Sequence, residues 1–200
     1  MGKMFWNLAS PFYAKAMKPD ETMYQHLCAL ICEDVKDCDV LELATGPGMI
    51  ARGIATEAKS VVATDYSQGM IDQAQKTGAP DNVRFEVADA MDLQYPEDAF
   101  DVVIIANALH LLPESDKALA CIEKVLKDDG LLIAPNFVDQ HKNSLWARFL
   151  KLIGVGFEHQ WTKDAYVEFL TSGGWHVERL DVLEARLPLV YVTLRKEEEH

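Results

Sequence analysis

The chain has 200 residues, 49% of them hydrophobic, and sets 19 Lys and Arg against 32 Asp and Glu for a formal net charge of −13. That apolar content excludes a disordered chain, and the charge has the wrong sign for a phosphate-backbone binder or for broad attachment to an anionic membrane. The length is about one domain's worth, and residues 1–200 are read as a single domain.

The four cysteines, Cys28, Cys32, Cys38 and Cys121, have no second Cys or His pair at zinc-site spacing, so no metal site is expected. Reduced thiols fit a cytoplasmic protein. Pro11, Lys15 and Lys18 break any signal-peptide-like run near the N-terminus. No stretch approaches the roughly 20 apolar residues of a membrane span.

The elements alternate in chain order. Asp20 can cap a helix whose apolar positions are Met23, Leu27, Leu30 and Ile31, a helical spacing. Asp39–Gly48 reads as a short apolar strand ending in a glycine turn, and Met49, Ile50, Ile54 and Ala55 mark the helix after it. Val61–Asp65 is a second strand, and Ser67 caps a helix that stops near Gly78. Val83, Phe85 and Val87 alternate as a third strand, and Phe100–Ala106 is a fourth, almost continuously apolar, as in a parallel sheet buried on both faces.

A helix follows Ser115, and Gly130 turns the chain into a fifth strand, Leu131–Phe137. Residues 140–160 read as a helical insert, followed by a helix over Thr162–Ser172. Two strands, Trp175–Glu184 and Leu189–Leu194, meet around Pro188, a link too short for anything but an antiparallel pair. The pattern predicts an α/β fold: a doubly wound, seven-stranded, mostly parallel sheet with a C-terminal antiparallel strand pair. Residues 1–37 precede it as lid helices.

The glycine turn is the first chemical clue. Gly46 and Gly48 stand between a strand and a helix, where missing side chains let backbone N–H groups approach a ligand. Gly46-Pro-Gly-Met-Ile-Ala51 also satisfies the G-x-G-x-x-A dinucleotide pattern, although many α/β proteins carry glycines there only to turn. Asp65 ends the second strand, where a carboxylate can accept from both hydroxyls of a ribose or simply cap a helix. To this point NAD and S-adenosylmethionine fit equally. Glu42, inside the first strand where an NAD-binding protein is usually apolar, and Asp89, placed to accept from an adenine amine, separate them.

Four stretches together resemble the class I S-adenosylmethionine-dependent methyltransferases, most closely the group around the ubiquinone/menaquinone-biosynthesis methyltransferases. They are Val40–Gly48, Val62–Met70, Val87–Leu93 and Phe100–Pro113. The resemblance implies a Rossmann-like methyltransferase fold with S-adenosylmethionine as cofactor. The turn Ala44, Thr45, Gly46 and Gly48 would hold the methionine part, supported by Glu42. Asp65 would bind the ribose, with Tyr66 and Met70 near the adenine and Asp89 and Ala90 at its edge. Asn107 and Ala108 would line the methionine end, and Tyr13 would close over the cofactor from the N-terminal segment. Ala44 departs from the family, which has glycine there, and Pro47 stiffens the loop.

Methyl transfer needs alignment and desolvation rather than a covalent enzyme intermediate, so the absence of a nucleophile triad is no obstacle. A base is required only if the acceptor must lose a proton. His110, just past the fourth strand, is the candidate, ahead of His141 and His159. The apolar stripe Leu145, Trp146, Phe149, Leu150, Leu152 and Ile153 reads as domain packing, a lid over an apolar acceptor, or a shallow membrane contact. The expected partner is a small-molecule acceptor, with no nucleic acid and no stable membrane anchor. The rival is a cofactor-binding regulator or interaction protein without transferase activity, which would lack an open acceptor pocket. The oligomeric state is not legible.

Overall fold

The computed structural model describes Asn7 and residues 21–138, 159–183 and 188–197. Tyr13, His141 and nearly all of the 140–160 insert lie outside the described residues.

Helix α1 (Glu21–Asp34) forms where apolar residues recur every fourth position. Met23, Leu27, Ile31 and then Val35 are buried, and the stripe packs against Ile50, Ala51 and Ile54 of helix α2 (Met49–Ile54). The approach is close, since a side chain on Gly53 would meet Cys28 Sγ at 2.5 Å. Between these helices runs strand β1 (Asp39–Leu43). Strand β2 (Ser60–Asp65) and helix α3 (Gln68–Lys76) follow, the helix capped by Ser67 Oγ accepting from Met70 N at 3.3 Å. Then come β3 (Val83–Val87), β4 (Phe100–Ile105), helix α4 (Ser115–Val125), β5 (Leu126–Ile133) and β6 (Asn136–Phe137). Helix α5 (Lys163–Ser172), capped by Thr162, leads into β7 (Trp175–Leu183) and β8 (Leu189–Lys196). No helix among the described residues is long and apolar enough to cross a membrane.

The sheet order is β3-β2-β1-β4-β5-β8, with β6 also on β8 and β7 outside it. β1 to β5 are parallel, and β8 runs antiparallel to both of its sides. The chain starts in the middle, winds outward through β2 and β3, and returns to place β4 on the other flank of β1. That reversal opens a crevice at the carboxyl ends of β1 and β4, the topological switch point where doubly wound folds take ligands. Both faces are covered. Leu41, Leu43, Val103 and Ile105 pack against α4 and α5, whereas Val40, Val102 and Ile104 pack against α1 and α2. Hence the strands are apolar nearly throughout.

Two expectations need correction. The sheet has eight strands rather than seven, because the predicted fifth strand is broken. Leu132 and Ile133 pair with Leu194 and Thr193, and Asn136 and Phe137 continue in the same register on Val190 and Leu189. Pro135 has no N–H to give to the ladder, so one line of pairing becomes two short strands. The second correction is where β5 begins. Leu126 leaves α4 directly into the sheet opposite Phe100, and the next pair is Val102 with Leu131. Lys127–Gly130 therefore bulge out of the ladder, and Gly130 lies within the strand. A side chain on Gly130 would meet Leu126 Cδ1 at 2.7 Å and Lys127 O at 2.9 Å, which is why the bulge takes glycine.

Candidate active site

The turn after β1 is held by bonds to β1, to β2 and within its own backbone. Ala44 has φ 54°, a left-handed conformation that costs a residue with a Cβ about 1–2 kcal/mol. Thr45 N donates to Thr64 O at 2.8 Å, and Gly48 N donates to Thr45 O at 3.0 Å. Thr45 Oγ1 donates to Glu42 Oε2 at 2.8 Å. Gly46, at φ 56°, donates its N–H to Asp65 Oδ2 at 2.9 Å. Gly48 is glycine for another reason than ligand approach. It has φ 79°, and a Cβ there would lie 2.6 Å from the Phe85 ring.

Two carboxylates stand behind this turn. Glu42 is 2% exposed, and desolvation pushes its pKa up to about 7 against the pull of its hydrogen bond from Thr45. Asp65 is also raised by burial, opposed by backbone N–H bonds from Ser67 and Gly46. Its Oδ1 accepts from Ser67 N at 2.8 Å and its Oδ2 from Gly46 N. A carboxylate has about four lone-pair sites, so each oxygen retains capacity for a ligand hydroxyl. Asp89 past β3 is similar: Oδ1 accepts from Met91 N at 2.9 Å. Beside Asp65, Asn7 Oδ1 accepts from Ser67 Oγ at 2.6 Å and Gly69 N at 3.1 Å, which sets Asn7 at the start of α3.

Across the crevice, Asn107 follows β4 at φ 53°. Its N–H donates to Pro135 O at 2.8 Å, and its Oδ1 accepts from Phe137 N at 3.0 Å. These bonds fix the amide so that Nδ2 is buried without a hydrogen-bond partner. An orphaned buried donor is costly, and it asks for an acceptor from outside the chain. His110 sits in the 3-10 turn Leu109–Leu111 with Nδ1 2.8 Å from Asn136 Oδ1. It is 6% exposed, and burial lowers its pKa to about 4, so it is neutral at physiological pH. His159 N donates to His110 O at 3.2 Å. The His159 ring lies flat on Trp161, with centroids 4.9 Å apart, and its Nε2 is buried and unpartnered.

These parts enclose a cavity of about 300 Å³. Glu42, Ala44, Thr45 and Gly46 line it at the turn; Asp65, bonded to Gly46, lines it beside them with Tyr66 and Met70, and Asp89 and Ala90 line it past β3; Asn107 and Ala108 line the β4 side. Gly48 and His110 are not among the lining residues. Sequence reasoning missed Tyr24, Met49, Met91, Leu111, Leu112 and Pro113, which form much of the apolar wall. Leu111–Pro113 lie inside a stretch already singled out. Tyr24 carries no signal, because a tyrosine beside a buried helix stripe reads as packing.

A switch-point crevice with an acidic residue at the end of β2, in a sheet that ends in an antiparallel pair beyond β5, is the Rossmann-like methyltransferase fold, and in sequence and fold the chain is similar to the class I S-adenosylmethionine-dependent methyltransferases. Residues 40–130 match the family described as "Methyltransferase domain". The chain is 36% identical over 99 residues to the demethylmenaquinone methyltransferase of Clavibacter sepedonicus, covering 49% of this chain and 40% of that one. It is 33% identical over 123 residues to the ubiquinone/menaquinone biosynthesis C-methyltransferase of Rickettsia bellii, covering 56% and 49%. The aligned part thus spans about half the length of these curated relatives. Among solved structures, the DhpI–SAH complex superposes with a TM-score of 0.76 at 23% identity over 98% of this chain and 96% of that one, a likeness of fold.

Proposed function

We propose that the protein transfers the methyl group of S-adenosylmethionine to a small, partly apolar acceptor. The single observation that carries this is the polarity of the cavity from end to end. The lining carboxylates Asp65 and Asp89 suit the donors of a ribose and an adenine amine, and the orphaned donor Asn107 Nδ2 suits a methionine carboxylate. The residues present therefore fit the cofactor. When bound, S-adenosylmethionine supplies an activated methyl on a sulfonium.

The chain's own work is alignment and exclusion of water. The Ala44–Gly48 turn holds the methionine part, and Glu42 keeps the turn in shape through Thr45. Asp65 takes the ribose hydroxyls; Tyr66, Met70 and Ala90 flank the adenine, and Ala108 completes the wall beside Asn107. Tyr13 would close over it from the N-terminal segment. His110 stays neutral behind the wall and acts by holding Asn136. A group with so low a pKa is a weak base, which favours an acceptor that ionises without it. Leu111, Leu112, Pro113, Met49 and Met91 give the acceptor end an apolar lining. That lining, with the names of the relatives, supports a quinol-like ring methylated at carbon. The acidic balance argues against nucleic acid and against stable membrane anchoring, and the free thiols fit a cytoplasmic setting.

An acceptor screen with methyl-labelled S-adenosylmethionine tests the proposal. Label should enter short-chain demethylated quinols, and label appearing only in an oligonucleotide or in no acceptor at all would sink it.

A further inference from the structure

We infer that Arg52 is a positioning residue for the cofactor: its guanidinium clamps the strained glycine turn onto α3 and β3 and so sets the turn's grip on the methionine half of S-adenosylmethionine. This rests on the cofactor assignment above. Arg52 does not line the cavity, and nothing in the sequence marked it.

The geometry is specific. Arg52 Nη2 donates to Pro47 O, the carbonyl at the centre of the turn. Nη1 donates to Ala74 O at 3.3 Å and Gly78 O at 3.5 Å, at the carboxyl end of α3. There the guanidinium also meets the negative end of the helix dipole. Its carbon stands 5.6 Å from the Phe85 ring centroid, within cation–π range. Gly48 completes the clamp: the space its side chain would fill is taken by Phe85 at 2.6 Å and Arg52 Nη1 at 2.9 Å. One planar cation with five donors therefore ties the turn, the end of α3 and β3 together.

The turn needs such a tie because it is strained. Ala44 holds φ 54°, a conformation that glycine adopts freely and alanine resists. A relaxed Ala44 would swing Thr45 and break its bond to Glu42, while Asp65 stays held by the N–H of Ser67. In this chain the loop shape that glycine would supply intrinsically is imposed from outside, by Arg52.

The test is calorimetric titration of S-adenosylhomocysteine and of adenosine into the wild-type chain, Arg52→Met, Arg52→Lys and the double variant Ala44→Gly/Arg52→Met. Adenosine occupies only the Asp65–Asp89 end, so it reports damage to the fold at large. Arg52→Met should weaken S-adenosylhomocysteine by about tenfold, the loss of charge-assisted hydrogen bonds, and adenosine by less than about twofold. Adding Ala44→Gly should recover at least about half of that loss on a logarithmic scale, since it removes the strain. Equal losses for both ligands, or no recovery in the double variant, would overturn the inference. Should Arg52→Met fail to fold, Arg52→Lys carries the test. Its ammonium cannot bridge both sets of carbonyls, so S-adenosylhomocysteine binding should fall about threefold, and wild-type affinity would overturn the clamp. A wild-type chain that binds no S-adenosylhomocysteine overturns the cofactor assignment together with this inference, whereas equal binding by wild type and Arg52→Met overturns this inference alone.

Discussion

The two ends of the cavity are built differently. At the β1–β2 end the polar groups are paired with one another: Thr45 with Glu42, Gly46 and Ser67 with Asp65, Gly48 with Thr45. At the β4–β5 end, Asn107 lines the cavity, and behind it bonds run through Phe137 to Asn136 and on through His110 to His159. The two buried side-chain polar atoms without partners among the described residues, Asn107 Nδ2 and His159 Nε2, both belong to this run. A saturated site is preorganised and binds one ligand with little rearrangement. An unsaturated one is completed by what it binds. On the assignment proposed above, the first end holds the nucleoside of the cofactor, and the second is completed by the methionine carboxylate at Asn107 and by the substrate that follows it.

That contrast can be broken in order of expected effect. Asp65→Ala should weaken S-adenosylmethionine by roughly a hundredfold, since it removes a carboxylate accepting two charge-assisted hydrogen bonds. Calorimetry paired with a thermal melt would check that the fold survives. Asn107→Asp replaces the orphaned donor with a carboxylate facing a carboxylate, and about a tenfold loss is expected. Unchanged affinity would mean that Nδ2 faces no part of the cofactor.

Next comes a pH signature. Glu42 has its folded pKa raised to about 7 from 4.5. Between those values the folded state binds more protons, so this group's contribution to stability falls as pH rises. His110, lowered from 6.5 to about 4, does the opposite: the unfolded state binds more protons there, and stability rises with pH across that window. The two slopes oppose each other where the windows overlap. Glu42→Gln removes the cost of the buried charge and can still accept from Thr45, so its melting temperature relative to wild type should climb between about pH 5 and pH 8. A constant offset would show that Glu42 does not titrate in that range.

The smallest effect is expected at His159. His159→Ala should change S-adenosylhomocysteine affinity by less than about twofold, consistent with ordinary surface-to-intermediate sites, while altering turnover with an acceptor. A large loss of cofactor affinity would erase the division between the two ends.

Much of the first end was legible in the sequence because its determinants are local. Gly46 sits in the turn after β1, Asp65 ends β2, and Ser67 announces its cap two residues later. What depends on contacts between distant segments was not legible. Gly48 reads as a ligand-approach glycine, yet Phe85 and Arg52 occupy the space. Gly130 reads as a turn before a strand but lies in a bulge of it, and Pro135 splits that same predicted strand in two. The low pKa of His110 follows from burial under residues far along the chain. Tyr24 lines the cavity from α1, where periodicity shows only the buried stripe beside it.

The central claim is that this crevice is a site for S-adenosylmethionine and not for NAD, although the glycine turn and Asp65 suit both. Titrating the purified chain with each in turn tests it most directly. S-Adenosylmethionine should bind, and Asp65→Ala should lose that binding, with NAD giving no heat in either case. Tight NAD binding with no response to S-adenosylmethionine would contradict it.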